Sequence, residues 1–344
     1  MAAYKDLLVR DAPEDDGSTI PYTGGIIWGS PDILPAGPSP IHDPQIYFSE
    51  NYNQPYYNDI SSGSYNVIYV RVKNLSDRPT TGRVALYYIE SNILNLPWMW
   101  VGHRIPNLND TDIGTFGKEK PVQRGEIRVV DSPFLWKAPP PPTNYHYCLM
   151  AQVGTDTHPN EIPVSTDPLD YDSYIRQEGG ACWRNVRVIG NLPNTPQQQL
   201  LHMANPYSYP EGNVYAIALR YTDVPAGSRI TMTSPTSGPN PPIDVDQLIK
   251  EHTSGILSCL AVLPPNFQGE LLITLTLNSS APKARITIGN WLAATPVPLK
   301  ERITSAQCTT TAQELGVTSE RLNLKPTDLM VLLGDFTMVV NPGS

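Results

Sequence analysis

The chain has 344 residues, 40% apolar and 17% charged, with 36 prolines, a net charge of −9 and a pI near 5.1. That length fits two domains, each large enough to bury a core without staples. The acidic balance excludes the basic footprint of a nucleic-acid binder. No apolar run reaches the roughly 18 residues of a membrane span, and proline at about twice its average share leaves little room for long helices, because it lacks the N–H donor.

The opening, MAAYKDLLVRD, has neither a basic n-region nor an apolar h-region, so no signal peptide is expected. Asp6 to Arg10 reads as a short strand before the acidic turn DAPEDDGS. Ile41 to Tyr65 is polar, rich in Tyr and Asn, and reads as a long ordered loop. In Tyr65 to Asn74, Val67, Tyr69, Arg71 and Lys73 alternate with Ile68, Val70 and Val72, the period of a half-buried strand. After the turn LSDRPTTG come the strands Arg83 to Ser91, GEIRVVDSPFLW and YHYCLMAQV, with a short polyproline II segment at Pro139 to Pro142. Strands separated by Pro/Gly turns, without helical periods between them, point to antiparallel sandwiches and not to βαβ units.

A polar, turn-rich stretch from Pro163 to Gly180 reads as the interdomain segment. The expected organisation is therefore all-β: an N-terminal domain over 1–165, a linker over 166–180 and a C-terminal domain over 181–344, two tandem antiparallel immunoglobulin-like β-sandwiches with short helices. In the second half Cys182 to Ile189 reads as a strand. It is followed by LLHMANPYSYPEGNVYAIALRYTD as two strands around a turn, then SRITMTS, SGILSCLAVLPP, GELLITLTLNS and ARITIGNWL. Short helices are expected at Asp244 to His252 and near Ala312 to Leu315, and DLMVLLGDFTMVV fits a strand or a buried helix. Val70 to Tyr88 and Leu201 to Tyr221 share a pattern: an alternating strand to an Asn (Asn74, Asn205), a Pro/Gly turn, and a strand ending in an apolar-to-Tyr run.

The strand and turn YVRVKNLSDRPTTGRVALYY resemble bacterial immunoglobulin-like modules of the cell-adhesion-related, CARDB-like kind. DLLVRDAPEDDG…WGSPDI and NYHYCLMAQV are similar to segments flanking such modules, and CWRNVRVIG to the opening strand of a following sandwich. The resemblance covers about the first 190 residues. It implies adhesion or assembly and supplies no catalytic residues.

Three groups of residues are candidates for a site. Asp11, Asp15 and Asp16, with Glu14 beside them and Asp32 downstream, and Asp167, Asp170 and Asp172 in the linker, offer the hard oxygens that calcium needs, although neither spacing is that of an EF-hand. A solvated acidic turn is the competing reading. Tyr47, Tyr52, Tyr56 and Tyr57, interleaved with Asn51, Asn53 and Asn58, combine rigid aromatic area with adaptable hydrogen bonding. They suit a glycan or protein surface, or else they pack the loop onto its own domain. Trp98 and Trp100 share one side if LPWMWVGH is a strand, either as an edge platform for a partner or as core.

The four cysteines are far apart without metal-ligand spacing, and Cys148 fits a buried free thiol. The six histidines are scattered, and there is no HExxH, G-x-S-x-G, Walker A or dinucleotide motif. The expected function is accordingly non-enzymatic: an assembly or adhesion component, extracellular or part of a phage-like or surface particle, whose partners are other protein subunits. A glycan- or receptor-binding adhesin is the alternative. A third reading, a pore-forming toxin or a hydrolase with a dispersed site, draws on Gly269 to Gly289 as its one amphipathic hairpin.

Overall fold

The computed structural model describes residues 3–24, 27, 29–54, 56, 58, 60–61, 63–90, 99–139, 147–165, 167–189, 192–210, 212–251, 253–281, 283–294 and 309–340. They form four sheets, and every strand pair but one is antiparallel. The first sheet is built on β3 (Tyr65–Asn74), which pairs with β1 (Leu7–Leu8), β2 (Ile33–Gly37), β7 (Ile127–Val129) and β8 (Phe134–Lys137). The second runs β10 (Ala181–Arg184), β9 (Tyr147–Gly154), β4 (Gly82–Glu90), β5 (Arg104–Ile105), with β6 (Gly114–Phe116) also on β4.

The third sheet runs β11 (Val186–Ile189), β20 (Leu329–Val340), β18 (Arg285–Ala293), β13 (Asn213–Thr222), β16 (Gly255–Leu263), with β19 (Thr309–Thr311) on β20. The β11–β20 pair is the parallel one. The fourth runs β12 (Gln197–Ala204), β17 (Gln268–Thr276), β14 (Arg229–Thr233), β15 (Asp244–Leu248). Two helices complete the fold, α1 (Pro44–Glu50) and α2 (Pro168–Gln177).

Alternation along the strands sets the interiors. Ile68, Val70, Val72 and Phe134 of the first sheet meet Val84, Leu86, Leu149 and Val153 of the second. Tyr215, Ile217, Ile286, Ile288 and Phe336 of the third meet Leu201, Met203, Ile230, Met232 and Ile273 of the fourth. A third interior lies between these two. Ala85, Tyr87, Cys148, Met150 and Trp183, from the other face of the second sheet, share a cluster with Ala216, Ala218, Trp291, Ala293 and Leu332 from the other face of the third, together with Tyr174 and Ile175 of α2. Three of the residues facing this interior from β13 and β18 are alanines. The halves therefore do not keep wholly separate interiors.

Several sequence expectations change at this point. The expected linker holds α2, whose N-cap Asp167 accepts from the Leu169 N–H through its side chain and is followed by Pro168 at a position that needs no N–H donor. The strand expected over Cys182 to Ile189 is two strands. β10 completes the second sheet beside β9, and β11 opens the third, so the chain passes between sheet sets at Asn185. Asn185 makes that switch: its backbone C=O accepts from Thr337 N–H, its amide donates to the Asp335 carbonyl, and the Cys148 thiol donates to its Oδ1 at 2.8 Å.

The helix expected at Asp244 to His252 is β15, where Asp244, Asp246 and Leu248 are exposed in strand alternation. The segment near Ala312 is a hydrogen-bonded turn, not a helix. DLMVLLGDFTMVV resolves as a strand buried on both faces. β3 is buried on both faces too, Arg71 included, because α1 and the chain after it lie over the face expected to be open.

Candidate functional site

The long Tyr/Asn segment is tied to the first sheet by a buried ionic cluster. Asp32 at the start of β2, Arg71 in mid β3 and Arg10 after β1 meet with side-chain exposures of 0%, 0% and 3%. Arg71 Nε donates to Asp32 Oδ1 at 2.7 Å, and Arg10 donates to both carboxylate oxygens at 2.8 and 3.0 Å. The remaining Arg71 donors reach the carbonyls of Phe48, Asn51, Pro31 and Tyr52, and Arg10 Nη2 also reaches Tyr52 O at 2.8 Å. A guanidinium has five N–H donors, and those of Arg71 all find acceptors. Burial alone would raise the Asp32 pKa, but the two arginines outweigh it and hold the carboxyl below its usual value.

This arrangement places the sequence candidates. Tyr52 is 9% exposed and lies beneath Arg10, whose Cζ is 3.6 Å from the ring centroid, so its area serves the cluster. Tyr47 on α1 is 42% exposed and stands edge-on to Phe48 and Tyr56. Phe48 in turn packs on Tyr69 of β3. Gln45 of α1 staples the helix to β7 through Ile127 O and Val129 N–H. Trp100 is fully buried against Trp183 in the third interior and offers no surface. Tyr57 and Trp98 lie outside the described residues.

The acidic candidates split between structural roles. Asp11 and Asp15 are buried, and Asp15 accepts from the backbone N–H of Asp11 and Gly17. Burial, with Asp15 close by, pushes the Asp11 pKa well up, and Asp11 Oδ1 has no hydrogen-bond partner among the described residues. Asp16 is exposed and caps the Ser18 N–H. Asp167 caps α2 and accepts from the Tyr207 hydroxyl, Asp170 accepts from Ser165, and Asp172 pairs with Arg176 one turn along α2 at 3.0 Å. Among the described residues no three His, Cys, Asp or Glu side chains are placed to hold a metal ion.

A further cluster was not legible from spacing. Buried Asp6 accepts from Thr155, Thr157 and His158 Nδ1 at 2.5 to 2.8 Å, which fastens the amino-terminal strand to the turn after β9. Both threonine hydroxyls donate to the carboxylate rather than to the imidazole, so the arrangement lacks the nucleophile–base contact of an acyl-transfer site.

What remains open are surfaces. A groove of about 540 Å³ beside β4 and β9 is lined by Arg83, Arg104, Glu161 and the exposed Val101 and Val164. A recess of about 580 Å³ brings Tyr88, Glu90, His103 and Tyr147 of the first half together with His202 of the second. Tyr88 there packs between Trp136 and His103, with centroids at 4.4 and 5.3 Å.

No protein-family model matches the chain, and no curated protein matches it. Among solved structures, the chain is similar to an isomalto-dextranase of Arthrobacter globiformis T6 in complex with panose. The identity is 13%, the match covers 71% of this chain and 37% of that one, and the TM-score of 0.21 carries no argument about fold or activity.

Proposed function

We propose that the chain is a non-enzymatic structural or adhesion component that works through protein–protein contacts at strand edges and loops. The observation that carries this reading is where the buried charge goes. Arg10, Arg71 and Asp32 direct their hydrogen bonds to one another and to backbone carbonyls, so this buried ionic cluster serves to fasten a loop. Catalysis would need such groups to converge on open space.

The finer architectural reading is a tandem of immunoglobulin-like sandwiches. In each half a strand pairs across one sheet (β3 with β7 and β8; β12 with β17) while its successor pairs across the facing sheet (β4 with β9; β13 with β18). A later strand then pairs on the far side of that one (β10 beside β9; β20 beside β18). This pairing resembles the alternation of B–E and C–F–G pairs in that fold and supports the reading.

The glycan-binding alternative is supported by one feature, the recess where Tyr88, Tyr147, His103 and Glu90 set aromatic area beside polar groups. Light scattering of the full chain over a concentration series tests the leading reading. Self-association is expected, and a strict monomer at the highest concentration counts against it.

A further inference from the structure

The third sheet ends on β16, whose one strand partner among the described residues is β13, with Asn240 bridging Val262 near its end. Successive residues of a strand turn their N–H and C=O groups to opposite sides. Val262 turns outward, since its N–H and C=O bond Asn240 and not β13. Ile256, Ser258 and Leu260 share that parity, so their backbone groups point off the edge, where no described residue meets them. Asn240 is followed by Pro241 and Pro242, which have no N–H to carry the pairing further.

Soluble proteins guard open edges with charge, proline or plugs. The fourth sheet follows that practice: β15 carries Asp244 and Asp246, and on β12 the Gln198 carbonyl is taken by Arg187 Nη1. The sequence of β16, GILSCLAVL, has no charge and no proline, and Ile256 to Leu260 are all partly exposed.

We propose that β16 pairs antiparallel with β16 of a second copy of this chain, about a two-fold axis at Ser258. This rests on the assembly reading above and names its partner. In that register Ile256 faces Leu260 of the other copy and Ser258 faces Ser258, each pair exchanging two backbone hydrogen bonds, while Leu257 faces Cys259. The outward-turned residues of one strand thus meet those of the other, as an isologous contact requires. A slip of one residue would set outward groups against groups already bonded to β13. The strand's neutrality argues for self-pairing, since in a chain of net charge −9 this edge opposes no like charges when two copies meet.

Sedimentation velocity of the full chain tests this with Ser258→Pro and Leu260→Lys, thermal melts confirming that each variant folds. Residue 258 gives no N–H to β13, so proline there removes an edge donor and leaves the ladder intact, although it also removes the Ser258 Oγ hydrogen bond to the Leu315 carbonyl, a bond that Leu260→Lys keeps. The wild type is expected to dimerise reversibly and both variants to weaken the dimer at least about tenfold, roughly 1.4 kcal/mol. Should Ser258→Pro fail to fold, Ser258→Cys replaces it. Directly opposed residues lie about 5.5 Å apart, within disulfide range, so oxidation should link the copies where the oxidised wild type stays unlinked. Self-association that both folded variants retain unchanged overturns the β16 pairing and leaves the assembly reading standing. A wild type that stays monomeric throughout overturns both.

Discussion

Asn74 and Asn205 hold the same corner in the two halves. Each is fully buried where a strand of one sheet gives way to a strand of the facing sheet. Asn74 donates to the carbonyls of Arg78 and Val122 and accepts from Ser76 N–H, two residues on, at 2.8 Å. Asn205 donates to the carbonyls of Leu263 and Pro264 and accepts from Tyr207 N–H, again two residues on, at 3.2 Å. The pattern shared by their two segments thus encodes one device: an amide that closes the turn ahead of it and satisfies carbonyls of a neighbouring connection.

Asn74→Ala leaves the buried Ser76 N–H unpaired and Asn205→Ala the buried Tyr207 N–H and Tyr215 hydroxyl, while the Val122 and Pro264 carbonyls keep the N–H of Thr80 and Phe267. Asn74→Ala and Asn205→Ala should each cost about 2–3 kcal/mol, read as a lowered thermal midpoint, whereas Ser76→Ala should cost less because the Asn74 contacts remain. Equal, negligible effects of all three would refute the corner's role.

Asp32 should govern acid stability. Its carboxyl titrates below its usual value in the folded chain. Its contribution is therefore complete above the unfolded value near 3.9 and is lost as pH falls through the folded one. Asp32→Ala leaves two buried guanidiniums uncompensated and should cost about 3–5 kcal/mol at neutral pH. A variant as stable as wild type in urea unfolding at pH 7 would contradict this.

Asp11 should behave with the opposite sign. Its pKa is raised in the folded chain, so folding takes up a proton and stability falls as pH rises from the unfolded value through the folded one. Asp11→Asn should raise the thermal midpoint at neutral pH, with the gain vanishing near pH 3, where the carboxyl is protonated in both states. Melts across that range decide it, and a destabilised variant at pH 7 would show that the nearby Arg176 guanidinium, whose charge opposes the rise of the Asp11 pKa, needs the carboxylate.

Trp183 stands in the interior between the halves, edge-on to Trp100 at 6.5 Å. Its truncation to alanine opens a cavity there, at a cost of about 3–5 kcal/mol, while leaving the other two interiors untouched. Calorimetry should show the wild type unfolding in one coupled transition and Trp183→Ala in two. A single transition lowered as a whole would mean that the halves do not melt separately.

The sequence made the strands legible because their apolar residues alternate, as in Tyr65 to Asn74 and Asn213 to Thr222. It misled where tertiary burial covers both faces. Arg71 reads as the exposed side of a strand, yet it is sealed by the segment after α1, and no spacing links it to Asp32 or Arg10. Tyr52 reads either as contact area or as packing for its own loop, and only the fold shows it stacked beneath Arg10. Asp167 was legible as chemistry but not as a cap, since the prolines and glycines around α2 masked a short helix. The edge of β16 that no described strand covers leaves no mark in its own sequence beyond a missing charge, because an edge is defined by what other segments do.

Contact through exposed backbone rather than chemistry in a cleft is most directly tested by amide hydrogen exchange of the full chain at dilute and concentrated extremes. Ile256, Ser258 and Leu260 should exchange fast when dilute and become protected on concentration, with little change along β13. Exchange that is identical at both concentrations over the whole chain would contradict the account.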